Sequence, residues 1–290
     1  MQALTRVPRP SLTPGALEDA AALAECLGDR AIEVAFVACS YDTAMEPVED
    51  QVAAKVAQLQ EAFGLDGPVR WSLWIVDDLP PGARFSARVE AGFERCPGLL
   101  LEQDRLRCVP LTSAKPTRAG LKGQALLDGM SGALDEGAEI LVVINLNLKV
   151  RAELAATGLR AMIEGGWDAC IGSRAAVDGG QVTGAGKLGR AKSIGFNRYV
   201  RGMLPELDRY KDTNAPMKIF SANAARCLIH KATIQTVTMD AEWLLLLHRN
   251  GFDVTVFPVA WAQRPGSRPP WAMIPACALD VARIRAMWSR

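Results

Sequence analysis

Apolar residues in this chain gather into short unbroken runs, and between the runs they recur every three to four positions. Glu33-Val-Ala-Phe-Val-Ala38 and Trp71-Ser-Leu-Trp-Ile-Val76 are such runs, and between them Val48, Val52, Val56, Leu59 and Phe63 share one helical face. A buried strand, an amphipathic helix and a second buried strand predict a right-handed parallel βαβ unit. Ahead of it, Gly15 to Leu27 is alanine-rich with helical spacing. Beyond it the pattern predicts a short strand over 106–111 and a helix over 120–136. Then comes Glu139-Ile-Leu-Val-Val-Ile-Asn-Leu-Asn-Leu-Lys149. Its apolar core, Ile140 to Ile144, is mostly β-branched and reads as a strand buried on both faces.

A helix over 151–164 and a strand over 169–172 follow. Ala176 to Gly189 is a glycine-rich loop with few apolar anchors, expected to be mobile. Helical spacing resumes over 187–203, strands are predicted over 217–220 and 252–261, and a helix over 240–249 lies between them. The tail from Trp271 ends in an amphipathic helix carrying Val281, Ile284, Met287 and Trp288. Alternating strands and helices through residue 174 predict an α/β, Rossmann-like fold with a mostly parallel central sheet and helices on both faces. The expected organisation is one continuous domain: an arm and helix over 1–30, a nucleotide-binding half over 31–174, an acceptor half with the glycine-rich loop over 175–268, and a helical tail over 269–290.

Composition narrows the function. The chain has 290 residues, 49% hydrophobic and 22% charged, with a net charge of +1. That balance points to no nucleic-acid or anionic-membrane partner, and no apolar run approaches the roughly 18 residues of a membrane span. The first residues lack an apolar signal core. Seven cysteines without a Cys-x-x-Cys pair, in an odd number, predict reduced thiols and a cytoplasmic location. With only His230 and His248 present, a histidine-rich metal site is excluded. Nothing in the pattern assigns an oligomeric state.

Several polar groups follow predicted strands, where an open parallel sheet binds its ligands. Asn145, Asn147 and Lys149 end the central strand, and Asp77 and Asp78 end the second. The aspartates could accept hydrogen bonds from a ribose or a base, or simply begin a turn. Lys122 opens a helix whose Ala125, Gly129 and Ala133 form a small-residue stripe suited to close packing on the sheet. A cation at a helix N-terminus opposes the macrodipole, and an anionic ligand would offset that. Gly172-Ser-Arg174, with Lys187, Arg190 and Lys192 beyond the glycine-rich loop, reads as phosphate-binding or as a solvated basic face. Asp240 and Glu242 open a helix, either as base and substrate ligand or as cap and first-turn charge.

Taken in order over residues 33–268, these segments resemble the GT-A class of nucleotide-sugar glycosyltransferases, nearest to the dolichyl- or polyprenyl-phosphate sugar synthases of family two. The resemblance is carried by Tyr41, Val76-Asp77-Asp78, Lys122-Gly-Gln-Ala125, Gly172-Ser-Arg174, Phe196-Asn197, Asp212 to Lys218, Met239-Asp-Ala-Glu242 and Pro258-Val-Ala-Trp261. It departs at the centre, where Asn145-Leu146-Asn147 and Lys149 stand in place of the family's metal-holding Asp-x-Asp and following glutamine. Magnesium sites usually need one or two carboxylates, so the expectation is no firm metal site and at most weak Mg2+ or Mn2+ binding. The resemblance implies an inverting glycosyltransferase using a UDP- or GDP-sugar. Tyr41, Asp77, Asp78, Lys122, Asn145, Asn147 and Arg174 would hold the donor, Lys149 would replace the metal, and Asp240 would act as base. Lys187, Arg190, Asp212 and Glu242 would meet the acceptor. That acceptor is expected to be a soluble small molecule or carrier-bound intermediate of secondary metabolism; a polyprenyl phosphate, or a silent nucleotide-binding protein, are the alternatives.

Overall fold

The structure is a computed structural model and describes residues 15–39, 48–77, 105–111, 122–263 and 274–288. Helix α1 (Ala16–Leu27) leads into strand β1 (Ile32–Cys39), followed by α2 (Val48–Phe63), β2 (Val69–Asp77) and β3 (Leu106–Pro110). Helix α3 (Lys122–Asp135) precedes the central strand β4 (Ile140–Val143), and a 3-10 turn (Ala152–Leu154) runs into α4 (Ala155–Gly165). Next come β5 (Ala169–Ser173), β6 (Gln181–Thr183), α5 (Lys187–Met203), β7 (Lys218–Ser221) and α6 (Ala222–Lys231). The chain closes with α7 (Met239–Arg249), β8 (Val254–Pro258), β9 (Ala260–Ala262) and α8 (Ile274–Trp288).

Seven strands form one sheet in the order β3-β2-β1-β4-β7-β5-β8, and β6 pairs with β9 in a second. Every neighbouring pair of the large sheet is parallel except those made by β7, which runs antiparallel to both β4 and β5. Alternation along the strands divides the core in two. Val34, Phe36 and Ala38 of β1 pack with α1, α2 and α4, whereas Ala35, Val37 and Cys39 pack with the α3, α6 and α7 side. Both faces of β1 and β4 are therefore covered, which is why their sequences are apolar runs.

The small-residue stripe packs as the sequence predicts. Ala125 and Ala133 are buried, and a Cβ on Gly129 would lie 2.6 Å from Val37 Cγ1 and 2.8 Å from Val76 Cγ2. The glycine-rich segment differs from expectation. It holds the ordered strand β6, tied by Gln181 N–H to Val259 O and by Gln263 N–H to Thr183 O. Pairing with β9 supplies the anchors that its own side chains lack. Helix α6, which the apolar spacing does not announce, begins at Ser221, whose hydroxyl accepts from Ala224 N–H. Among the described residues no helix is long and apolar enough to cross a membrane.

Candidate functional site

The reversed direction of β7 shapes the site. Its first residue, Lys218, stands in register with Val143 near the end of β4 and with Ile171 of β5. A lysine that opens one strand thus joins the carboxyl ends of two others. Past β4, Ile144 N–H still bonds Val37 O at 3.0 Å, and Leu146 and Val150 are buried in the core. Those anchors hold the intervening Asn145, Asn147 and Lys149 at the strand end.

Lys122, in the first turn of α3, donates from Nζ to Asn145 Oδ1 at 2.9 Å. Gly123 makes that placement possible: its N–H bonds Gln235 O at 2.8 Å, and a Cβ there would lie 2.7 Å from Ile234 O. Asn147 Oδ1 accepts from Lys149 N–H at 3.2 Å. The Lys149 ammonium lies 5.5 Å from the ring centre of Trp261 on β9, and Ala262 N–H bonds Lys149 O at 2.8 Å. Neither ammonium meets a carboxylate within ion-pair distance among the described residues. Two ammonium groups, one from α3 and one from the segment after β4, thus meet at this strand end without an ion-pair partner among the described residues.

Asp240, in the first turn of α7, pairs through Oδ1 with Lys218 Nζ at 2.8 Å, both side chains being buried. Burial pushes the Lys218 ammonium below its ordinary value; Asp240 draws it back up and Lys122 adds to the lowering. Lys218 also donates to Ala215 O at 2.5 Å. For Asp212, burial alone would raise the carboxyl, yet the charge and hydrogen bonds of Arg174 hold it below its usual range.

The structure brings together Lys122, Asn145, Asn147 and Lys149, and places the Asp240–Lys218 pair at the same end of the sheet. Other residues expected at the site have partners of their own. Arg174 and Asp212 are partners of each other: Arg174 Nε and Nη2 reach Asp212 Oδ2 and Oδ1 at 2.7 and 2.8 Å, and Nη2 also reaches Asn214 O at 2.6 Å. A guanidinium and a carboxylate so engaged serve each other before any donor or acceptor. Glu242 is wholly buried and accepts from Thr233 N–H, Thr233 Oγ1 and Ile234 N–H at 2.6–2.9 Å. It fixes the turn before α7 instead of facing an acceptor. Lys187 and Arg190 are exposed on the first turns of α5, where Arg190 donates to Val182 O at 3.1 Å. Among the described residues, neither is bonded to the lysine cluster. Tyr41 and Asp78 lie outside the described residues, and Asp77 is the last residue of β2.

Two residues gain roles that the sequence reading did not give them, Lys218 and Trp261. The available signal for Lys218 was a charge inside an otherwise apolar strand; for Trp261 there was none beyond its motif. A divalent cation fits this set of residues poorly. The two asparagine oxygens are neutral and already accept hydrogen bonds, one of them from an ammonium. Among the described residues, no three His, Cys, Asp or Glu side chains gather to hold a metal.

No protein-family model matches the chain, and no curated protein matches it in sequence. Solved structures do match its fold. Glucosyl-3-phosphoglycerate synthase from Mycobacterium tuberculosis, in complex with Mn2+, UDP-glucose and phosphoglyceric acid, superposes with a TM-score of 0.62 at 16% identity, covering 96% of this chain and 84% of that one. The same enzyme with Mn2+, UDP and glucosyl-3-phosphoglycerate gives 0.60 at 18% identity over 95% and 84%. With Mg2+ and UDP it gives 0.60 at 16% identity over 95% and 83%. At such identity the likeness is one of architecture, and the chain has the Rossmann-like GT-A fold of that synthase.

Proposed function

We propose that this chain is a nucleotide-sugar glycosyltransferase, moving a sugar from a UDP- or GDP-sugar to a soluble small-molecule or carrier-bound hydroxyl, with Lys122 and Lys149 in place of a divalent metal. The observation that carries the reading is the pair of ammonium groups at the segment where the central strand ends, neither in ion-pair distance of a carboxylate among the described residues. Together they supply the charge of one divalent cation. Fixed positive groups in a cleft stabilise the charge that develops on a leaving nucleoside diphosphate, and they need no reorganisation as it forms. The fold supports the donor class, because the synthase that shares it is solved with UDP and UDP-glucose. Its phosphoglyceric acid supports a small polar acceptor.

In this reading Asp240 takes the proton of the acceptor hydroxyl. Lys218 holds one of its oxygens at 2.8 Å and orients the carboxylate, leaving the other oxygen for the proton. Direct displacement with such a base inverts the anomeric centre. Asp240→Asn keeps the shape and removes the base, so turnover should fall by about 10²–10⁴-fold. The check is steady-state transfer with the anomeric configuration of the product read by NMR. Undiminished turnover in the variant, or a retained configuration, would remove Asp240 from the chemistry.

A further inference from the structure

We propose that Trp261 is the positioning residue for Lys149, holding its ammonium at the donor diphosphate without neutralising it; this rests on the function proposed above. An ammonium on a flexible four-carbon stem must be held if it is to act as a fixed charge. A carboxylate would hold it and cancel its charge. An aromatic face holds a cation through the ring quadrupole and leaves the net charge intact. Lys149 is held in this second way, 5.5 Å from the centre of the Trp261 ring.

The ring is itself braced. The Arg174 guanidinium lies 5.1 Å from the same ring centre, pinned by Asp212 and by Asn214 O. Indole Nε1 donates to Gln263 Oε1 at 3.2 Å. The neighbouring Ala262 N–H bonds Lys149 O, so backbone and side chain of Lys149 are both registered on β9. The two cations on one ring differ in charge balance: Arg174 is matched by Asp212, and Lys149 has no carboxylate partner among the described residues. This gives the Arg174–Asp212 pair a purpose at the site. They fix the indole, and the indole fixes the ammonium.

The test is a double-mutant cycle on the full chain, with UDP binding measured by calorimetry in EDTA. Wild type, Lys149→Met, Trp261→Leu and the double variant are compared, with Trp261→Phe as the conservative control. Trp261→Leu is expected to weaken UDP by about 3- to 10-fold, Trp261→Phe much less, and the double variant no more than Lys149→Met alone. An equal loss from Trp261→Leu with and without Lys149 would overturn the proposal, as would no loss. Wild type that binds no UDP would refute the donor reading instead. The relay is then read without a ligand, by amine labelling and mass spectrometry, with exposed Lys211 as the internal reference. Lys149 should label faster in Trp261→Leu than in wild type or Trp261→Phe; identical labelling in all three would overturn the relay.

Discussion

At the scale of single residues, the proposed metal-free role rests on the hydrogen bond between Lys122 and Asn145. An aspartate at 145 would face Lys122 Nζ at about the present 2.9 Å and form an ion pair, cancelling one of the two free charges. Asn145→Asp should therefore weaken UDP binding in EDTA by about tenfold, the effect of roughly 1.4 kcal/mol. Added Mn2+ should restore part of the loss by pairing with the new carboxylate. Calorimetry with and without the metal checks this, and an unchanged affinity in EDTA would contradict it. The lysines and asparagines were legible in the sequence because they directly follow an apolar run and open a helix. The Arg174–Asp212 pair was not, since its members are 38 residues apart and only the fold brings them together. The partners of Glu242 were hidden for a related reason: a first-turn acid looks the same whether it meets solvent, a ligand or the backbone of Thr233 and Ile234.

At the scale of elements, apolar runs located the parallel strands β1, β2, β4 and β5, because both faces of those strands are buried. The direction of β7 was hidden, since four residues with a lysine among them carry no orientation. Helix α6 was hidden because its buried positions are mostly alanine. Helix α2 conceals a further feature. Lys55 is 1% exposed, although a helical lysine ordinarily reads as solvated. Its ammonium donates to Val150 O, Gln58 Oε1 accepts from Ala152 N–H, and Glu61 pairs with Arg151, so α2 clamps the chain just beyond Lys149.

Burial, with help from the Arg151 charge, lowers Lys55 from 10.5 to about 7. Between those values the unfolded chain binds the extra proton and the folded chain does not. Folding stability from this group is thus lowest below pH 7 and rises as the pH increases towards 10.5. Each pH unit in that window contributes about 1.4 kcal/mol, so the gain between pH 7 and 9 is about 2–3 kcal/mol. Urea unfolding of wild type and Lys55→Met across that range should show the slope only in wild type. Parallel profiles would mean that Lys55 keeps its ordinary affinity for protons.

At the scale of the whole molecule, a net charge of +1 conceals a gathering of Lys122 and Lys149 at one end of the central strand. The architecture is shared with a synthase solved with Mn2+ or Mg2+ and UDP, and in this chain Lys122 bonds Asn145 at the end of the central strand. In the proposed function these ammonium groups do the metal's electrostatic work. Thermal unfolding of the full chain with UDP-glucose and other nucleotide sugars, each in EDTA and in Mn2+, tests it most directly. A donor at 100 times its dissociation constant adds about 2.7 kcal/mol, or roughly 5 °C or more for a chain of this size. A shift of that order is expected with one nucleotide sugar in EDTA, little changed by Mn2+. A shift that appears only with Mn2+ would contradict it.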